Sequence, residues 1–352
     1  MPFIKQEHKK FVKNAFDYFF LAGDIGGTNS IFGIFGAKNG VGGLIASFKF
    51  KSKEIKNFKD AVNEVLDYSR KNYKIKIKKA CLGVAGIVSA DGKNAAMPKL
   101  SWNLSSRGIS KATGLSQIIF INDFQAAGYG INIIKRKQLA IIKKCKKIPK
   151  SNIIIIGAGT GLGKSLLLFD EEKKFYRPIA SESGHIDFPA QTEDELKLVK
   201  FIKKHGKTRQ SVSYEQVLSG RGLKNIYSFL RKSGKFGNTK YTKQISKESF
   251  APESISKYRK TDETCRAAFE IFRNIYAKFA RDMAIDGLSL GGVYIAGGIA
   301  QKNIGIFDRQ FIKIFEHSYE KGYILKNIPI YLILDGNIGL MGAGFAGAKL
   351  LK

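Results

Sequence analysis

The sequence predicts an α/β protein with mixed sheets and roughly two domains. Three observations carry this. The chain has 352 residues, and about 150 residues make a domain. Short apolar runs of strand length alternate along it with longer runs of helical spacing. The first two strand-like runs are joined by a tight glycine turn, which makes a hairpin and not a strand–helix unit.

The elements follow in order. Tyr18–Gly23 is an apolar strand ending in Asp24, then Gly26-Gly27-Thr28-Asn29 turns the chain into a second run, Ser30–Gly36. Phe58–Arg70 places Ala61, Val62, Val65 and Leu66 at helical spacing. Ala80–Val88 and Gln117–Asn122 read as buried strands, the second ending in Asp123, with a helix at Ala126–Ile134. Ile153–Ile156 is a short strand running into Gly157. Leu166–Phe169 and Phe175-Tyr176 flank the charged turn 170–174. Tyr214–Leu218 opens a helix, and Arg266–Leu288 is a long one. Val293–Ala296 is a strand before Gly297-Gly298. Ile330–Leu334 is the last strand, and Leu340–Leu350 a small-residue helix. The polar stretch Ser233–Lys257 reads as an exposed insertion.

Composition narrows the function. The 60 Lys+Arg exceed the 29 Asp+Glu by 31, a balance compatible with a nucleic-acid partner. The lysines of Lys74–Lys79 alternate with Ile75 and Ile77, however, as on the wet side of a strand, and those of Lys143–Lys150 lie between apolar stretches. This favours charge spread over solvated faces, with no dedicated nucleic-acid partner. Cys81, Cys145 and Cys265 lie far apart without a Cys-x-x-Cys, so neither a disulfide framework nor a zinc site is indicated. No apolar run of 18 residues exists, so no membrane span is expected; the expected location is the cytoplasm. Residues 1–17 read as a docked or poorly ordered extension.

Three glycine loops each follow an apolar strand: Asp24–Asn29, Gly157–Gly163 and Gly297-Gly298. Glycine lets backbone N–H groups face an anion with no Cβ in the way. Three such loops point to a phosphate ligand held from two sides. Ala158–Ser165 is one residue short of a P-loop, but a P-loop must lead into a helix, and Leu166–Phe169 reads as a strand. Asn122-Asp123 at a strand end suits either a helix cap or a catalytic acid. Glu182 and His185 offer an acceptor and a donor three residues apart, which suits a polyhydroxyl ligand. Glu215 near a helix start is ordinarily a helix-dipole residue.

The segments Gly23-Asp-Ile-Gly-Gly-Thr-Asn29, Ile121-Asn-Asp-Phe124, Gly157-Ala-Gly-Thr-Gly-Leu-Gly163, Glu182-Ser-Gly-His185, Tyr214-Glu-Gln-Val-Leu-Ser-Gly220 and Gly291-Gly-Val-Tyr-Ile-Ala-Gly-Gly-Ile299 together resemble the bacterial-type glucokinase family, in that family's order. The resemblance implies a two-domain actin-like ATPase fold (ribonuclease H-like) with an interdomain cleft. It places a small α/β domain at 18–133, completed by 335–352, and a large one at 134–334. It implies ATP-dependent phosphorylation of glucose at the 6-hydroxyl, with Asp123 as general base. Asn122, Asp123, Glu182, His185 and Glu215 would bind the sugar. Gly23, Asp24, Ile25, Gly26, Gly27, Thr28 and Asn29, with Gly159, Thr160 and Gly161, would hold phosphates. Gly297 and Gly298 would lie at the adenosine. ATP and Mg²⁺ are the implied cofactors, Asp24 facing the ion through its phosphates; the partners are glucose and ATP, with a homodimer left open. Two positions depart from the pattern: Lys99 stands where the family usually has Asn, three residues before Trp102, and Ser183 where many members have Gly. A kinase for another hexose or an amino sugar keeps every motif. A sugar-responsive DNA-binding regulator on the same scaffold is a third reading, although only 23 residues precede Asp24.

Overall fold

A computed structural model describes residues 3–7, 11–146, 148–206, 210–247 and 252–351. The chain forms two compact units. One gathers Met1–Gln138, Leu167–Ala180 and Asp335–Lys352; the other gathers Leu139–Leu166 and Ser181–Leu334. The hairpin segment 167–180 thus groups with the first unit, whereas the sequence reading places it in 134–334.

The first unit is built on a six-stranded sheet in the order Ile4–Glu7, Val41–Lys51, Asn29–Lys38, Tyr18–Ile25, Lys79–Val84, Gln117–Asn122. The first four strands pair antiparallel and the last three parallel, so the sheet is mixed, as expected. Helix Phe58–Tyr73, capped by Asn57, buries Phe58, Ala61, Val62, Val65 and Leu66 against Leu21, Phe32 and Phe48. Helix Ile338–Leu350 brings Leu340, Ala343 and Ala346 to Phe20 and Phe35. A Cβ on Gly342 would collide with the Ala126 carbonyl, so glycine sets how closely this helix approaches helix Asp123–Gly130.

Several elements differ from expectation. The run Ala80–Val88 breaks after Val84, and Ile87–Val88 joins a three-stranded meander with Asn94–Met97 and Trp102–Ser105. Gly86 makes the break, because its backbone lies against the Ala96 carbonyl where no Cβ fits. Strand Val41–Lys51 escaped the sequence reading because Gly42, Gly43 and the late lysines blur its alternation. The extension docks: Ile4–Glu7 pairs with the edge of the sheet, Phe3 meets Phe48 and Phe50 at 5.4 Å each, and Phe16 fills the space above Gly36 and Gly43. In Lys74–Lys79, Ile75 and Ile77 are buried between exposed lysines, but the strand begins only at Lys79.

In the second unit, Ile153–Ala158, Gly292–Ala296 and Ile330–Ile333 run parallel, with Leu139–Lys143 antiparallel at the edge. Strand Leu162–Asp170 follows Ile153–Ala158 in the order. Helix Glu263–Asp286 buries Phe269, Phe272, Ile275, Tyr276 and Phe279 in the core. Helices Glu193–His205 and Gly220–Lys232 add Leu198, Ile202, Leu223 and Ile226. The stretch Ser233–Lys257 is largely exposed, as expected, but it is anchored: helices Lys240–Ser246 and Pro252–Tyr258 bury Ile245 and Ile255 in the same core. Its composition is polar because each of these seven-residue helices buries so few apolar side chains. Residues 248–251 of that stretch lie outside the described residues. Lys143 is also buried, pairing with Glu316 at 2.9 Å and donating to the carbonyls of Leu325 and Lys326.

Candidate active site

In the first unit the parallel strands bring the acids to one edge. Asp24 stands level with Gly83, and Gly83 with Ile121. Asp24 and Asn122-Asp123 therefore end strands two apart, about 10 Å across the sheet. The cap and the acid divide the roles that position alone left open. Asn122 is the helix cap, its Oδ1 accepting from the N–H groups of Phe124 at 2.9 Å and Gln125 at 3.3 Å while Gln125 Oε1 accepts from Asn122 N–H. Asp123 is the first helical residue and is half-buried. The cap fixes its backbone.

Asp24 is held differently. Burial alone pushes its carboxyl up to about 6, since desolvation penalises the charge. A Cβ on Gly339, in the first turn of helix Ile338–Leu350, would collide with this carboxylate. Among the described residues Asp24 has no ion-pair or side-chain hydrogen-bond partner. One carboxylate so placed fits a Mg²⁺ ion carried mainly by phosphates and water. Among the described residues no three His, Cys, Asp or Glu side chains group to hold a metal by themselves. The glycine turn beside Asp24 closes through Gly26 N–H to Asn29 O at 2.9 Å, and Ser52 Oγ donates to Gly26 O at 2.6 Å. Thr28 at its tip is exposed.

In the second unit two glycine loops share one sheet edge. Gly157 registers with Ala296 on the neighbouring parallel strand, so Gly159, Thr160 and Gly161 lie beside Gly297 and Gly298. Gly297 has φ +97°, and a Cβ there would press on the Ala158 carbonyl; only glycine suits it. Gly159 O accepts from Gly220 N–H at 2.8 Å, tying this loop to the start of helix Gly220–Lys232.

The structure also gathers Glu182, His185 and Glu215. His185 Nε2 is 3.9 Å from Glu182 Oε2 and 3.9 Å from Glu215 Oε2. Glu215 is 5% exposed. Its Oε2 accepts Leu162 N–H at 3.1 Å and its Oε1 the Arg221 guanidinium at 3.2 Å. Glu215 sits in a 3₁₀ turn, Tyr214–Gln216, two residues after an isolated bridge between Ser213 and Asp187, so a helix-dipole role does not describe it. Arg221 was missed as a site neighbour; the acid six residues before it was the available signal.

Lys164, the P-loop look-alike, lies on strand Leu162–Asp170 and not at a helix start. It is 5% exposed, and its ammonium pairs with Asp286 at 2.5 Å. The strand–turn–strand expectation holds.

The glucokinase family model matches residues 21–350. The chain belongs to the glucokinase family. It is 32% identical over 345 residues to a glucokinase of Nostoc punctiforme, covering 94% of this chain and 99% of that one. It is 33% identical over 346 residues to a glucokinase of a Nostoc species, with the same coverage. A crystal structure of glucokinase from an Antarctic psychrotroph matches with TM-score 0.75 and 27% identity, over 93% of this chain and 98% of that one. The fold is therefore the actin-like ATPase fold of sugar kinases, as the resemblance implies. Among the described residues no helix is long and apolar enough to cross a membrane.

Proposed function

We propose that this member of the glucokinase family transfers the γ-phosphoryl group of ATP to the 6-hydroxyl of glucose. The observation that carries the reading is Asp123, fixed at a strand end by the Asn122 cap, on the same sheet edge as the half-buried Asp24. The 6-hydroxyl oxygen attacks the γ-phosphorus as its proton passes to the Asp123 carboxylate. The bond from the γ-phosphorus to the bridging oxygen breaks, and ADP leaves. Backbone N–H groups of Gly27 and Gly161 are suited to hold phosphate oxygens, while Gly159 N–H closes its own loop on Gly161 O at 2.8 Å. Asp24 faces the phosphates, where a bound Mg²⁺ would neutralise charge on the leaving group. In the second unit, Glu182, His185 and Glu215 supply acceptors and a donor for the remaining ring hydroxyls, with Gly297 and Gly298 at the adenosine.

The test is a coupled assay with purified protein, ATP, and a panel of glucose, mannose and glucosamine. Glucose 6-phosphate formed from glucose with matching ADP release is expected. No glucose turnover beside efficient turnover of another sugar would overturn the sugar assignment.

A further inference from the structure

We propose that Lys99 is a phosphate-binding residue of the first glycine loop, directed at the polyphosphate of the nucleotide and not at the sugar. A methyl group built on Gly27 would stand 4.0 Å from the Lys99 Cβ. The two backbones are therefore neighbours, and Gly27 puts no side chain between them. A lysine stem reaches about 5 Å beyond its Cβ, so the ammonium of the exposed Lys99 can stand in front of the Gly27–Thr28 peptide.

Its mounting is firm. Lys99 is the middle residue of the 3₁₀ turn Pro98–Leu100, which closes through Ser101 N–H to Pro98 O at 3.2 Å. The turn lies between Met97, fully buried in the core, and Trp102, whose indole meets the Phe58 ring at 5.5 Å. Ser101 takes the left-handed conformation, φ +54°, which turns the chain sharply after Lys99.

Charge accounts for the choice of ligand. Neither Asp24–Asn29 nor Gly157–Gly163 contains a cationic side chain. Lys164, next in sequence, is engaged by Asp286. Phosphate oxygens bound at the first loop need cationic charge beyond what amides provide. A neutral sugar hydroxyl gains much less from an ammonium than a phosphate does.

This inference rests on the kinase reading above, so its test includes binding without turnover. Lys99→Met keeps the apolar stem and removes the charge. It should weaken binding of ATP and ADP about tenfold by calorimetry, leave AMP binding unchanged, and leave the thermal midpoint unmoved. In turnover, KM for ATP should rise about tenfold with KM for glucose within twofold, and Lys99→Arg should restore most of the loss. A rise in glucose KM alone would make Lys99 a sugar contact and overturn the proposal; unchanged constants for both would overturn it as well. If the wild-type protein fails to phosphorylate glucose while Lys99→Met still weakens ATP and ADP selectively, the kinase reading falls and the Lys99 assignment stands.

Discussion

Glu215 accepts the backbone N–H of Leu162 through Oε2 at 3.1 Å, which couples this buried acid to a residue of the second glycine loop. Leu162 is held from its other side too, because its carbonyl lies against Gly184, where a Cβ would not fit. The Glu182-Ser-Gly-His185 motif, the glycine loop and Glu215 are thus fixed to one another through one residue, Leu162.

Glu215→Gln tests that coupling. The amide can still accept from Leu162, but it loses the charge that Arg221 and His185 face. Sugar binding should weaken by about 1.5–3 kcal/mol, the range for hydrogen bonds involving a charged group, seen as a rise in glucose KM with little change in KM for ATP. Glu215→Ala also orphans the Leu162 N–H and should lower the thermal midpoint, which Glu215→Gln should not. Equal destabilisation by both would refute the Leu162 contact as the anchor.

Asp123→Ala should lower kcat by about 10²–10⁴-fold, the range for a lost general base. The helix should survive, since its cap is Asn122. ATP affinity measured by calorimetry should stay within about twofold. A folded variant with near-wild-type kcat would remove Asp123 from proton transfer.

Lys164→Met separates the buried ion pair from a P-loop role. In a P-loop the lysine contacts the β- and γ-phosphates, and its loss would nearly abolish turnover. Here the ammonium is committed to Asp286, so kcat/KM should change less than about tenfold, or 1.4 kcal/mol. Asp286 is largely exposed and stays hydrated without its partner, so Lys164→Met, which keeps the apolar stem, should be milder in stability than Lys164→Ala. A thousandfold loss of turnover would restore the P-loop reading.

These assignments differ in how far the residues announced them. Strand Gln117–Asn122 and the hairpin at Gly26–Asn29 were legible because continuous apolar runs and a glycine turn are local signals. Asn122 and Asp123 were legible as a pair, yet which of them caps the helix depended on where the helix begins. The proximity of His185 to Glu215 was not legible, since it is made by tertiary contacts: the bridge between Asp187 and Ser213 brings the two segments together. Helix Glu193–His205 carries a local signal in the sequence, the Thr192–Glu195 capping box. Lys143 and Lys164 look like any other lysines in so basic a chain; only the folded chain shows that they are buried against Glu316 and Asp286.

Asp24 makes stability and function oppose each other as pH changes. Its carboxyl sits at about 6 against an ordinary 3.8, through burial. In the unfolded chain the proton is lost near pH 4, in the folded chain near pH 6. Between these values the folded form binds more protons, so stability falls as pH rises through the window, and the full cost of the buried charge persists above it. That cost is on the order of 1–3 kcal/mol. Asp24→Asn removes the charge and should raise the thermal midpoint at pH 8, with the advantage over wild type shrinking toward pH 4.5. The same substitution should abolish most turnover, because a neutral amide no longer attracts a cation at the phosphates. In the wild type, kcat/KM for ATP should fall as pH drops below about 6, when Asp24 takes up its proton. An Asp24→Asn variant less stable than wild type at pH 8, or equally displaced at both pH values, would show that the Asp24 carboxylate is compensated in the fold and does not carry the desolvation assigned to it.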